Sequence, residues 1–399
     1  MWALSTAAIM TATKKKRTAT AVQCLEKEDV CRKVASYFDS DDLLSVSLIN
    51  KMWSSIANKQ FSILKSFPLY SNLTFRSSST YITDKRACSH ISNLRKNNDG
   101  RMVLMGGAFE SPNTDTCILE DNATQIKGRA VTNWETRNDV GAFAATYDLA
   151  GNVMLIGGWD DAEQEVLDTV YLYDFKKSRE KWTASSVLPK ARCFGAAERT
   201  IQGDVLHFGG GDSPYRGAGC FAEVFIRKVN EENWQESVVP SMQFTRCGHS
   251  VVTLFSDSIV ALGGYSGGTS YLASVEMLAP SLDQWVALPS MRSPRSGMAA
   301  VIGPCGAIYV AGGSPDGLAG SKTLERFDPR EGTWTSLADM HKPRGYTTGC
   351  LSLHRGFYVA SGVDDVTFHD NIEHYDFRTQ VGEGEHAYAM SVLNISGTS

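Results

Sequence analysis

Six apolar runs, each closing on a glycine pair, recur along the last three hundred residues of this 399-residue chain. They lie at 102–107 (MVLMGG), 153–158 (VMLIGG), 205–210 (VLHFGG), 259–264 (IVALGG), 308–313 (IYVAGG) and 357–362 (FYVASG), with Ser361 in the first glycine's place. Measured at the first doublet position, the steps are 51, 52, 54, 49 and 49 residues. A run without polar alternation reads as a strand buried on both faces. The doublet permits positive φ at a sharp exit and close approach of another backbone. A second apolar strand follows it, as at 170–175 (VYLYDF) and 324–329 (LERFDP). Trp134, Trp182, Trp234, Trp285 and Trp334 keep phase at +28, +25, +25, +22 and +22, and the sixth repeat has no tryptophan. Such a side chain fills the gap between neighbouring sheets. Arg192, Arg246, Arg295 and Arg344 each precede their doublet by 17 positions, whereas Arg137 precedes its own by 20, which predicts a longer hairpin there.

Four short strands in about fifty residues is the period of the kelch repeat. With six runs in phase, residues 101–399 closely resemble the kelch family, and the resemblance implies a mainly β fold, a six-bladed kelch β-propeller. Trp159-Asp160 occurs once, directly after a doublet, so a WD-type propeller is not indicated. The first blade begins abruptly at Gly100-Arg101, while 386–395 (HAYAMSVLNI) reads like the opening strand of a repeat, comparable with 344–353 (RGYTTGCLSL). The C-terminal segment is therefore expected to close the ring as the innermost strand of blade one. Its competitor, 86–94 (RACSHISNL), is more polar and suits a buried central strand less well.

Residues 23–64 have a different texture. Apolar positions fall at Val30, Val34, Phe38, Leu43, Leu44, Val46, Leu48, Ile49, Trp53 and Ile56, spacings that suit short amphipathic helices. Ser40 is placed to cap the second, with Asp41 and Asp42 in its first turn. The segment is similar to an F-box in the order Leu25-Glu26-Lys27-Glu28-Asp29-Val30, Phe38-Asp39-Ser40-Asp41-Asp42-Leu43-Leu44 and Ser47-Leu48-Ile49-Asn50-Lys51-Met52-Trp53. It departs from the family at Glu26, Cys31 and Lys33, where proline, leucine and apolar residues are usual. The resemblance implies that Leu25, Val30, Val34, Phe38, Leu43, Leu44, Leu48, Ile49 and Trp53 contact a Skp-type adaptor. A helical cap packed on the propeller is the alternative. Residues 65–100 read as a linker, and residues 1–22 as a disordered tail.

Composition narrows the partners. Net charge is -5 with 21% charged residues, and no basic stripe points to nucleic acid. No segment approaches the ~20 apolar residues of a membrane helix. The nine cysteines show no C-x-x-C spacing, which favours a reducing compartment, cytoplasmic or nuclear. The cluster Lys14-Lys15-Lys16-Arg17 follows an apolar stretch rather than preceding it, so it does not read as a secretory signal; a nuclear address or a transit peptide stays open.

No cofactor, metal or catalytic set is read. His369 and His374 lie near Asp364, Asp365 and Asp370, but their spacing in β-structure puts them on opposite faces, and a solvated acidic loop is expected. The in-phase arginines carry two readings. Either Arg192, Arg246, Arg295 and Arg344 ring the central channel and bind an acidic peptide, or each bonds loop carbonyls. Loop residues Trp159, Tyr215, Tyr265, Tyr271 and Asp316 are the further specificity candidates. Together the two resemblances imply a non-catalytic substrate receptor of a Skp–cullin–F-box ubiquitin ligase, docked on a cullin–RING complex through the adaptor. A kelch scaffold without ligase role is the alternative, and a kelch-fold enzyme the more distant one.

Overall fold

The computed structural model describes residues 90–93, 101–105, 116–121, 126–131, 140–160, 162–173, 182–215, 219–352, 356–365, 367–369, 371–377, 390–393 and 396–397. All of them lie in the compact unit Arg76–Ser399. The expected tail at 1–22, the helical module at 23–64 with its nine adaptor-contact residues, Trp134 and Arg137 fall outside the described residues.

Strands make up the regular structure of the described residues, and no α-helix occurs among them. The first sheet holds β1 (His90–Asn93), β2 (Arg101–Met105), β3 (Thr116–Asp121) and β4 (Ile126–Val131). The second holds β5 (Val140–Gly141), β6 (Ala144–Tyr147), β7 (Val153–Asp160), β8 (Glu165–Tyr173) and β9 (Trp182–Val187). The third runs β10 (Ala196–Arg199), β11 (Val205–Phe208), β12 (Val224–Arg227), β13 (Gln235–Val239). The fourth runs β14 (Ser250–Thr253), β15 (Ile259–Leu262), β16 (Val275–Leu278), β17 (Trp285–Leu288). The fifth runs β18 (Ser296–Ile302), β19 (Ile308–Ser314), β20 (Leu324–Asp328), β21 (Thr333–Ser336). In the sixth, β22 (Thr348–Ser352) and β23 (Gly356–Ala360) are followed by a small ribbon, β24 (Val363–Asp364) with β25 (Thr367–Phe368). The sheet then continues with β26 (Ile372–Tyr375) and β27 (Met390–Leu393), and the last strand is β28 (Ser396–Gly397).

Apart from the parallel addition of β28 to the first, each sheet is an antiparallel meander in chain order, the arrangement of a propeller blade. Five consecutive sheets, from Val140 onward, have described interiors. Their inner strands pack side by side, β6 on β10, β10 on β14, β14 on β18 and β18 on β22, and β1 packs on β22 and β6. The glycine-terminated runs are the second strands, and β11, β15, β19 and β23 are buried at every position. Their two faces feed two different cores. Leu206 and Phe208 of β11 pack with Ile259 and Ala261 of β15, while Val260 and Leu262 turn to Ile308 and Val310 of β19. Alternate side chains thus point to alternate neighbours, which is why the sequence shows no polar period.

The late tryptophans bridge those interfaces. Trp234 Nε1 donates to Ser186 Oγ at 3.1 Å, Trp285 Nε1 to the Pro240 carbonyl at 2.8 Å and Trp334 Nε1 to the Pro289 carbonyl at 2.8 Å. Each acceptor belongs to the preceding sheet or the loop leaving it.

Two expectations are corrected. The C-terminal segment does not open the first blade: Met390–Leu393 pairs antiparallel with β26 as the fourth strand of the sixth sheet. The repeat that lacks a tryptophan strand receives its outer strand from the chain's end instead. The innermost strand of the first sheet is His90–Asn93, paired with β2 in the register His90 to Met105, so the propeller begins inside the segment assigned to linker. Beyond β27 the chain crosses to the first sheet, where Ser396–Gly397 pairs parallel with β4.

Candidate functional site

Antiparallel order puts the starts of the inner strands, the glycine doublets and the loops between second and third strands at one end of every blade. The in-phase arginines, Trp159, Tyr215, Tyr265, Tyr271 and Asp316 all belong to that end.

The arginines are inside it, not on it. Arg246 and Arg344 are 0% exposed, Arg295 1% and Arg192 3%. Arg246 Nε meets Glu276 Oε1 at 2.8 Å, its Nη1 donates to the Ser274 carbonyl at 3.1 Å and to the Gly263 carbonyl at 2.5 Å. Arg295 pairs with Glu325 and donates to the Gly312 carbonyl at 2.9 Å. Arg344 pairs with Glu373 and donates to the Ser361 carbonyl at 2.6 Å. Arg192 reaches Glu223 at 3.5 Å, with its guanidinium 3.6 Å from the centroid of the Phe221 ring. The reading in which these four form an open ring for an acidic peptide is therefore corrected, because each is spent inside its own blade. Burial pulls Arg192, Arg246 and Arg295 below the usual arginine range, while the partner carboxylates oppose the shift.

The arginine backbone ties blades together as its side chain ties one blade up. Gly264 N donates to the Arg295 carbonyl at 2.8 Å, and Gly158, Gly210 and Gly313 repeat this bond to Arg192, Arg246 and Arg344. At Gly263, φ is +58° and a Cβ would stand 2.5 Å from the Arg295 carbonyl oxygen, so only glycine fits there without a shift.

The glutamates escaped the sequence reading. Glu223, Glu276, Glu325 and Glu373 follow their doublets by 14, 13, 13 and 12 positions. Three of them also accept backbone amides of the loop ahead of the arginine: Gln243 N to Glu276 at 2.7 Å, Arg292 N to Glu325 at 3.0 Å and His341 N to Glu373 at 2.7 Å. In the second sheet both charges are missing together. Val140 stands in the arginine's place and Tyr171, paired with Leu155 as Glu276 is with Ala261, in the glutamate's; they are 2% and 9% exposed and join one apolar cluster. The longer hairpin inferred from Arg137 is replaced by this apolar exchange.

At the axis, Ala142, Phe194, Gly248, Gly297 and Tyr346 occupy equivalent positions and all take positive φ, between 50° and 63°. Their backbones form a belt from blade to blade: Phe194 N to Ala142 O at 2.6 Å, Gly248 N to Phe194 O at 2.7 Å, Gly297 N to Gly248 O at 2.7 Å and Thr347 N to Gly297 O at 2.9 Å. A cavity of about 180 Å³ lies along the axis, walled by the inner strands. The Phe194 and Tyr346 rings face each other across it with centroids 6.3 Å apart. Trp159 and Tyr215 meet edge to face at 5.8 Å, and Tyr215, 61% exposed, donates its hydroxyl to Gln164 at 2.9 Å. Tyr265 is buried, against expectation for a contact residue, and bonds the Gly268 carbonyl beside Tyr271. Asp316 folds onto its own turn through Leu318 N and Ala319 N.

His369 and His374 do not converge and are not solvated. His369 Nε2 lies 2.9 Å from the Pro343 carbonyl, and His374 packs on Tyr358. Both are buried. Among the described residues no group of three or more His, Cys, Asp or Glu is placed to hold a metal ion.

Comparison with known proteins agrees with this architecture. Residues 245–292 and 294–341 each match the kelch motif, and they cover the fourth and fifth sheets. The chain is 29% identical over 140 residues to Kelch-like protein 34 of Homo sapiens, across 35% of this chain and 20% of that protein. It is 28% identical over 140 residues to Alpha-scruin of Limulus polyphemus, across 34% of this chain and 15% of that protein. The chain thus spans a fifth or less of the length of these relatives. A solved structure, described as the structure of YjhT, aligns with a TM-score of 0.64 at 14% identity, across 80% of this chain and all of that one; this likeness concerns the fold alone.

Proposed function

Starting from a kelch-repeat β-propeller, we propose that this chain is a non-catalytic substrate receptor. Its sheet β1–β4 supplies the sixth blade, residues 23–64 engage a Skp-type adaptor of a cullin–RING ubiquitin ligase, and the loop end of the propeller holds a protein substrate. The observation that carries the binding role is exposed Tyr215, on its loop, against half-buried Trp159 at the end of β7, both held by a rigid, buried framework. With Arg192, Arg246, Arg295 and Arg344 turned inward, an acidic partner loses its motive. The same end presents Glu163, Asp212, Asp316 and Asp365 at the surface. A substrate segment carrying Lys or Arg beside an apolar side chain complements that chemistry. Catalysis of ubiquitin transfer belongs to the other subunits, and this chain contributes proximity.

The deciding experiment is affinity purification of the full chain and of a form lacking residues 1–64, with identification of what accompanies each. A Skp-type adaptor and a cullin accompany the full chain only. Leu44→Asp places a charge on the adaptor-facing stripe and abolishes co-purification while the propeller stays folded. Retention of adaptor by a folded Leu44→Asp protein would refute the F-box assignment. A second reading keeps the propeller as an interaction scaffold without ligase role. It is favoured by the fact that the family match lies wholly within the repeats. A full chain that captures a protein substrate but neither adaptor nor cullin decides for it.

A further inference from the structure

Three cysteines gather where the third blade meets the fourth. Cys193 and Cys247 each follow an in-phase arginine, one in each blade, while Cys220 leads into β12. Backbone bonds hold these positions together. Arg246 N donates to the Phe221 carbonyl at 2.9 Å, fixing the neighbours of Cys220 and Cys247 against each other. Gly211 bridges to both Cys193 and Cys220, and Cys247 bridges to Tyr265. The result is a thiol–thiol contact across the seam, with Cys220 Sγ 2.8 Å from Cys247 Sγ. A disulfide needs about 2.05 Å between its sulfurs, so closure asks for a movement under an ångström. Cys193 stands apart from this contact, with its thiol turned to the Gly211 carbonyl at 3.5 Å.

We propose that Cys220 and Cys247 form a peroxide-responsive disulfide that locks the third blade to the fourth at the substrate-facing end. Cys220 is the partly exposed member and Cys247 the buried one, so oxidant reaches Cys220 first. The hydrogen bond from the Cys247 thiol stabilises the Cys220 thiolate and lowers its pKa, while Cys247 is pushed up. That split gives each sulfur a role. The Cys220 thiolate attacks one oxygen of a hydroperoxide; an S–O bond forms, the O–O bond breaks, and the departing oxide takes a proton as water or alcohol. The Cys247 sulfur then attacks the Cys220 sulfenic acid; the S–S bond forms, the S–O bond breaks, and hydroxide leaves with the Cys247 proton as water. The two thiols lose two electrons and the hydroperoxide gains them. A dithiol reverses the step by exchange. The cross-link spans 27 positions of chain and ties the start of β12 to the residue after Arg246. Asp212 and Tyr215 lie on the loop that ends at Cys220, so the lock acts on a surface the substrate meets.

The test uses the full chain, fully reduced, treated with stoichiometric hydrogen peroxide, alkylated and mapped by peptide mass spectrometry without reductant. The expected product joins the Cys220 and Cys247 peptides at a mass two hydrogens below their sum, and dithiothreitol removes it. Cys193→Ser leaves it intact. In Cys247→Ser, dimedone traps Cys220 as its sulfenic acid adduct. Cys305, exposed in the fifth blade, is the internal dose marker. If Cys220 and Cys247 stay alkylatable at a dose that oxidises Cys305, the proposal is overturned. A cross-link joining Cys220 to Cys193 in place of Cys247 overturns it equally. Should either serine variant fail to fold, the wild-type map alone still decides.

Discussion

At the scale of single residues, the buried Arg–Glu pairs are the units to test. At Arg246, Arg295 and Arg344 the guanidinium satisfies a carbonyl of its own doublet and the paired carboxylate satisfies a loop amide, so removing one partner strands the other without water. Glu276→Ala is expected to cost about 3–5 kcal/mol in denaturant unfolding. Replacing Arg246 by valine and Glu276 by tyrosine together reproduces what the second sheet already does at Val140 and Tyr171, and costs less than the sum of the single changes. The buried histidines give a pH signature. His207 is pushed down to about 3, first by burial and then by Arg192, and neither of its ring nitrogens has a hydrogen-bond partner. Its folded pKa lies below the unfolded value near 6.5, so the unfolded chain binds the extra proton as pH falls. Stability is full above about 6.5 and declines from there toward about 3. Asp328 adds a second acid-side loss. Hydrogen bonds from Arg330 hold it at about 2, so its contribution is present above the usual carboxylate range and fades as pH falls toward 2. The melting temperature of wild type therefore drops on acidification from pH 6.5 to 4, and His207→Leu shows a shallower slope. The arginine phase was plain in the sequence because its offset of 17 from the doublet does not vary among the four. The glutamates were hidden because each sits at a third strand's start or inside it, among residues that vary freely, and only the pairing gives their spacing a meaning.

At the scale of elements, the strands and doublets were legible because burial on both faces leaves an unbroken apolar run. Which sheet a strand joins was not legible at 386–395. A strand's side-chain pattern records which faces are buried, not which edge it pairs with. The missing tryptophan of the sixth repeat was the available signal: a blade without its own outer strand needs one from elsewhere, and β27 supplies it. Deleting residues 386–399 bares the outer edge of β26 and removes the short parallel contact of β28 with β4. The truncated chain is expected to melt several degrees lower and to sediment as aggregates on warming, since open edges recruit other chains. Analytical ultracentrifugation beside a thermal melt checks both parts. A smaller version of the same logic applies at Gly263, where alanine must take positive φ against the Arg295 carbonyl and loses about 1–3 kcal/mol.

At the scale of the whole molecule, the sequence made the propeller readable through repetition, whereas the recognition surface sits on loops that share no period. The arginines stand out because they repeat, and repetition in four blades proved to be the mark of framework. If the loop end binds a basic, apolar segment, capture weakens as salt is raised from 50 to 500 mM, and Tyr215→Ala combined with Trp159→Ala lowers affinity at least tenfold without moving the melt. Isothermal titration with the identified substrate measures both, and capture indifferent to salt would remove the electrostatic part. The belt of amide-to-carbonyl bonds around the axis has one more consequence. Every bond runs the same way round, from a donor in the later blade to an acceptor in the earlier one. An open array of repeats grows or shrinks at its ends and frays there first. Across the five described blades, the belt hands each donor to the preceding repeat. Loss of an inner one of them strands a donor on one side and an acceptor on the other, so these repeats are not separately dispensable while the outer loops stay free to lengthen. The described blades should accordingly lose hydrogen-exchange protection as one cooperative unit, not in sequence from either end.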